Sequence, residues 1–196
     1  MNRLGLDDAA VIAASRAEPE RFAPLFDRHA PYIHRYLARR VGRQPADDLV
    51  AETFPVAFRK RARYDPRHHD ARPWLYGIAT NLIAQHRREE ARQFRLRQAA
   101  GPDPVQHDWA ERSALDVTAQ SLRAPLTQAL ARLARPDRDV LLLIAWEQLT
   151  YDEVARALSI PVGTVRSRLH RARTKIREAL AGTPAAATYE EILTNE

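Results

Sequence analysis

The chain has no cysteine among its 196 residues, so it can hold neither a disulfide nor a thiolate-ligated metal, and nothing in it senses redox state through sulfur. Glycine is scarce, at 6 residues, while alanine, leucine and arginine recur throughout, which favours helices over strands. Long apolar runs are missing as well. The longest, Val140 to Trp146, is far short of the ~20 residues a membrane span requires. Near the N-terminus, Asp7 and Asp8 stand where a secretory signal needs positive charge and then an apolar segment, so a soluble, cytoplasmic protein without membrane contact is expected. The seven histidines are scattered, and adjacent ones such as His68-His69 cannot easily converge on one ion; no metal and no cofactor is expected. No nucleophile–base set or phosphate loop is recognisable, which predicts a protein that is not an enzyme.

What is present is hydrophobic content for packed cores, 45%, together with a net charge of +6 and a pI near 10.1. That balance implies a polyanionic partner. The charge is concentrated. Arg59 to Arg97 carries eleven Lys or Arg against four acids, whereas Ala99 to Ala119 carries one base against four acids and includes Gly101-Pro102-Asp103-Pro104. The second stretch reads as a linker. An all-α protein follows, with two small helical domains joined by a flexible acidic connector: residues 1–97, connector 98–124, residues 125–181, and a short tail 182–196.

The segment Thr150 to Ile176 reads as a helix-turn-helix. Thr150 and Glu153 fit a capping box. Val154, Ala155 and Leu158 give the first helix an apolar face, and Ser159-Ile160-Pro161 breaks it. Val165, Leu169, Ala172 and Ile176 then mark the buried face of a second helix. Turning ~100° per residue puts Gly163, Ser167, His170, Arg171 and Thr174 opposite that face, flanked by Arg166 and Arg173 on one side and Arg168 and Lys175 on the other. Polar groups on the centre line can reach base edges, and long cations at the rims can hold phosphates. Ser167, His170 and Arg171 are thus expected to read DNA, with Arg166, Arg168, Arg173 and Lys175 mainly on its backbone.

In the first domain, periodicity predicts helices near Asp7–Ala17, Pro19–Arg40, Ala46–Arg61 and Pro73–Arg95. Their stripes, including Phe22, Leu25, Phe26, Tyr32, Ile33 and Tyr36, are expected to be core for the most part. Further helices are expected at Leu126–Leu133 and Asp137–Glu147. Pro55 falls inside the third helix, where it removes a backbone hydrogen bond and predicts a bend.

Asp47-Asp48-Leu49-Val50-Ala51-Glu52-Thr53-Phe54, Arg72-Pro73-Trp74-Leu75-Tyr76-Gly77-Ile78-Ala79-Thr80-Asn81 and His86-Arg87-Arg88 resemble the second conserved region of bacterial sigma factors, in the compact extracytoplasmic-function class. Gly163-Thr164-Val165-Arg166-Ser167-Arg168-Leu169 resembles the fourth conserved region of the same class, and the resemblance spans roughly Asp7 to Leu180. It implies a promoter-specificity subunit that binds core RNA polymerase through Asp48, Leu49 and Glu52 and reads the minus-thirty-five element with its second domain. It further implies that Arg72, Trp74, Asn81, His86, Arg87 and Arg88 engage and melt the minus-ten element, as duplex and as single strand. Captured bases need cations, stacking surfaces and amide readers. An anti-sigma factor is left open as a further partner. Two rivals stand beside this reading: a stand-alone helix-turn-helix regulator that binds operators, and an adaptor that mimics a sigma factor.

Overall fold

A computed structural model describes residues 7–99 and 117–181, with side chains over 7–97 and 125–181. Among them are eight α-helices and no strand: α1 (Asp8–Ala14), α2 (Ala23–Val41), α3 (Arg43–Lys60), α4 (Arg72–Ala99), α5 (Val117–Arg132), α6 (Arg135–Ala145), α7 (Tyr151–Leu158) and α8 (Val162–Leu180). Two short 3-10 turns, Pro19–Phe22 and Arg61–Arg63, join the first helices. The helix expected from Leu126 starts earlier, at Val117, and α4 runs on to Ala99, so both ends of the expected connector are helical. Its middle, 100–116, and the tail lie outside the described residues.

The N-terminal helices enclose Ile12, Leu25, Ile33, Tyr36, Leu37, Phe54, Leu75 and Ile83, all buried. Between α2 and α3 stands the single residue Gly42, at φ 88°, a conformation closed to most side chains. Two aromatics expected in the core are not there: Phe26 and Tyr32 are 45% and 44% exposed. Phe26 sits at the edge of its stripe and meets Phe54 edge-on, at 4.8 Å between ring centroids. The helix carrying Pro55 is unbroken from Arg43 to Lys60. Pro55 and Ala51, four residues before it, are both exposed, so the carbonyl that loses its partner faces water.

One buried polar cluster ties α1, α2 and the loop before α4 together. Asp8 accepts hydrogen bonds from His29 Nε2 at 2.7 Å and from the Ala71 backbone N–H at 2.9 Å, and it pairs with Arg28. Burial by itself would raise its pKa, but these donors outweigh that and hold the carboxyl below its ordinary value.

In the C-terminal helices the capping box is formed, with Thr150 Oγ1 accepting from the Glu153 N–H at 3.3 Å and Glu153 accepting from the Thr150 N–H at 2.8 Å. Ser159 is left-handed at φ 53°, and the Ile160 N–H closes back on the Ala155 carbonyl at 3.0 Å. Pro161 then opens α8 without a side-chain cap. Val165, Leu169, Ala172, Ile176 and Leu180 are buried against α5, α6 and α7.

The two groups of helices meet along a seam where α7 packs on α4. A Cβ on Gly77 would lie 2.2 Å from the Ala157 carbonyl oxygen, so only glycine permits the crossing. Beside it the Tyr76 hydroxyl donates to Glu147, Arg40 pairs with Asp139, and Arg39 lies over the Trp146 ring at 5.3 Å. Among the described residues no helix is long and apolar enough to cross a membrane.

Candidate nucleic-acid interface

The outer face of α8 is arranged as its periodicity predicts. Gly163, Arg166, Ser167, His170, Arg171 and Lys175 are exposed, while Arg168, Arg173 and Thr174, the last expected on the centre line, are half-buried. Ser167 Oγ donates to the Thr164 carbonyl at 3.1 Å. Among the described residues Arg166, Arg168, His170 and Lys175 have no hydrogen-bond or ion-pair partner, and all but the half-buried Arg168 are exposed. Arg171 differs. Its Nε and Nη2 donate to the two carboxylate oxygens of Asp137, at 3.3 and 2.9 Å. Asp137 is 4% exposed and lies in the first turn of α6. Sequence reasoning missed this carboxylate, because its link to Arg171 crosses between helices and leaves no local pattern.

On α4 the six expected residues do not share one face. At ~100° per residue Trp74, Asn81 and Arg88 line up, and Gln85 and Arg92 fall on the same stripe. Exposure agrees: Asn81, Gln85, Arg88 and Arg92 are exposed and Trp74 is half-buried. Trp74 packs on Tyr64 at 4.9 Å between centroids and a 58° tilt, which makes an aromatic step at the head of the stripe. Arg72 is turned to Asp70 at 2.8 Å, and the same aspartate accepts from the Arg72 backbone N–H. His86 faces Glu90 at 3.4 Å. Arg87 is turned away, donating from Nη2 to the Arg40 carbonyl at 2.9 Å beside the seam. Spacing of four and seven from Asn81 was the signal for Gln85 and Arg88; Gln85 went unread because it falls between the two motif strings, Arg72–Asn81 and His86–Arg88.

On α3, Asp48 and Glu52 are exposed one turn apart. Leu49, expected on the same docking surface, is only 5% exposed; it belongs to the core, because its position on the helix points at α2 and α4 rather than outward. Asp47 accepts from His34 Nε2 at 2.9 Å. Next to the two acids an apolar groove is lined by Phe22, Phe26, Ala51, Phe54, Pro55 and Phe58. Among the described residues no group of three or more His, Asp or Glu is placed to hold a metal ion.

Family models match two stretches, sigma-70 region 2 over residues 25–93 and sigma-70 region 4 over residues 123–176. The chain is similar to the ECF RNA polymerase sigma factor SigE of Mycolicibacterium smegmatis, 35% identical over 160 residues, covering 80% of this chain and 60% of that protein. With the ECF RNA polymerase sigma factor SigL of Mycobacterium tuberculosis it shares 33% identity over 173 residues, covering 88% of this chain and 96% of the relative. The chain thus spans 60% of one relative's length, less than two thirds, and nearly all of the other's. In fold it is similar to the sigma factor RpoE solved with the anti-sigma factor NepR from Bartonella quintana, with a TM-score of 0.59, 23% identity, and coverage of 82% of this chain and 97% of that one.

Proposed function

The chain belongs to the extracytoplasmic-function class of the sigma-70 family, and from that premise we propose that it is the promoter-specificity subunit of a bacterial RNA polymerase, working in the cytoplasm. The observation that carries the reading is the pairing, in one chain, of a base-reading helix, α8, with a second polar stripe on α4 that starts on the Tyr64–Trp74 step. An operator-binding regulator has use for the first and none for the second.

The roles divide along the chain. Residues 125–181 read the minus-thirty-five element as duplex through the outer face of α8. Residues 1–97 take the minus-ten element as it opens: Trp74 and Asn81 receive unstacked bases, and Arg88 holds the strand. Residues 98–124 connect the two, and 182–196 form a tail. Asp48 and Glu52, beside the apolar groove at Phe26 and Pro55, suit an amphipathic basic helix of core polymerase. The chain contributes recognition and opening, and bond formation belongs to the core enzyme. An anti-sigma factor, the kind of partner with which the Bartonella protein was solved, is a further partner in this reading.

Run-off transcription with purified core polymerase tests this directly. The full chain should confer initiation at defined promoters, and Asp48→Lys with Glu52→Lys should weaken core binding at unchanged helicity. Tight binding to duplex operators with no association with core would favour the regulator.

A further inference from the structure

We propose that Asp137 is a positioning residue for promoter recognition: it grips one edge of the Arg171 guanidinium and leaves the opposite fork facing outward, for the paired acceptors of a guanine in duplex DNA. This rests on the function proposed above and names a chemical preference within it. An arginine carries five N–H donors in a fixed plane. The Asp137 contact uses the Nε–H and one Nη2–H. Three donors remain, and two of them, one on Nη1 and one on Nη2, point in parallel from the end of the group, where they match guanine O6 and N7. The Arg171 side chain is 53% exposed although its partner's is only 6% exposed, so the grip comes from inside the fold and the free edge from its surface.

The arrangement separates Arg171 from the other cations of α8. Arg166, Arg168 and Lys175 have no anchor among the described residues, so a flexible stem carries each charge, as suits a phosphate. Arg171 has already given up much of its rotamer freedom on folding, so less remains to be lost when it meets a base. The sole side-chain hydrogen-bond and ion-pair partner of Asp137 among the described residues is Arg171. The carboxylate therefore stabilises the fold as well, because a buried charge needs its counterion.

The test must move something that a structural role alone would not. Holoenzyme formed from core polymerase and the full chain is used to select from duplexes randomised across the upstream element. For Arg171→Ala, one guanine position should lose about five- to one-hundred-fold in preference, the span of a good bidentate contact. Asp137→Asn, equal in size, should reduce preference at that same position and leave the others unchanged, and the double variant should lose no more than Arg171→Ala. Arg171→Lys can still pair with Asp137 but offers no fork, so it should keep the melting temperature and lose the guanine. The inference is overturned if Asp137→Asn weakens all sequences equally, or if Arg171→Lys keeps the full preference. A wild-type holoenzyme that selects no upstream sequence overturns the function reading along with it, whereas a selective wild type matched by Asp137→Asn overturns this inference alone.

Discussion

Under the proposed function the two halves of the molecule present polar groups to DNA in different ways. In the C-terminal helices the site is one face of one helix. A capping box, a left-handed Ser159 and Pro161 set where α8 starts, and a single run of apolar residues sets which side is buried. In the N-terminal helices the site lies along a helix that is packed on two sides. Leu75, Ile78 and Leu82 of α4 face the core, Gly77 faces α7 and Tyr76 reaches Glu147 between α6 and α7, and what remains for a ligand is the strip from Trp74 through Asn81 to Arg88. A helix buried along one side shows its working face in its periodicity; a helix buried along two sides does not.

The strongest way to break this comparison is at the seam. Gly77→Ala puts a methyl group into the Ala157 carbonyl, and neither atom can move by a rotamer change. The full chain should lose about 1–3 kcal/mol, as other overpacked contacts do. In a fragment ending at residue 97 the same change should stabilise by up to about 1 kcal/mol, since it removes a glycine from a helix interior. Urea unfolding of both forms checks the reversal of sign. Equal effects in the two would mean that α7 does not pack on α4.

A smaller effect separates the halves by acid. Asp8 has a folded pKa below its ordinary 3.8, so its contribution is complete above that value and is lost as the pH falls through the folded pKa. Unfolding free energy should therefore decline below pH 3.8, by at most about 1.4 kcal/mol per pH unit for this one group. Asp8→Asn should flatten that slope in chemical unfolding followed between pH 4 and pH 2, about the range of the titration. A slope that survives the substitution would remove Asp8 from the acid response.

Smallest is the change at a rim cation. Lys175→Ala should weaken duplex binding alike for all sequences and lower the slope of log affinity against log salt by about 0.9. A loss confined to particular base pairs would mean that the rim and centre of α8 have been exchanged.

How much of this could be read before the fold was known follows from the same contrast. The turn from α7 to α8 and the exposed face of α8 were legible, because capping, helix stop and periodicity are local. The partner of Arg171 was not, because Asp137 lies 34 residues away and nothing in the spacing links them. On α4, Arg87 read as one more DNA-facing cation, yet it reaches back to the Arg40 carbonyl beside a seam that leaves almost no trace in the sequence. Its one trace was Gly77. A glycine inside an otherwise strong helix costs about 1 kcal/mol and usually marks a close crossing. Leu49 was misplaced for a related reason. The resemblance assigned Asp48, Leu49 and Glu52 to docking together, whereas the helix turns Leu49 inward. Phe26 shows the converse, an aromatic in a core-like stripe that the fold leaves at the rim of a groove.

The division of labour between a face that captures opened DNA and a face that reads duplex is tested most directly by permanganate footprinting of open complexes. Asn81→Ala and Arg171→Ala holoenzymes are compared on a fully duplex promoter and on one already unpaired around the minus-ten element. Asn81→Ala should slow opening on the duplex template, and its defect should shrink on the unpaired one, because the cost of a few kcal/mol for unstacking has been removed. Arg171→Ala should be equally impaired on both. Defects that respond to pre-melting in the same way would contradict the assignment of opening to α4 and duplex reading to α8.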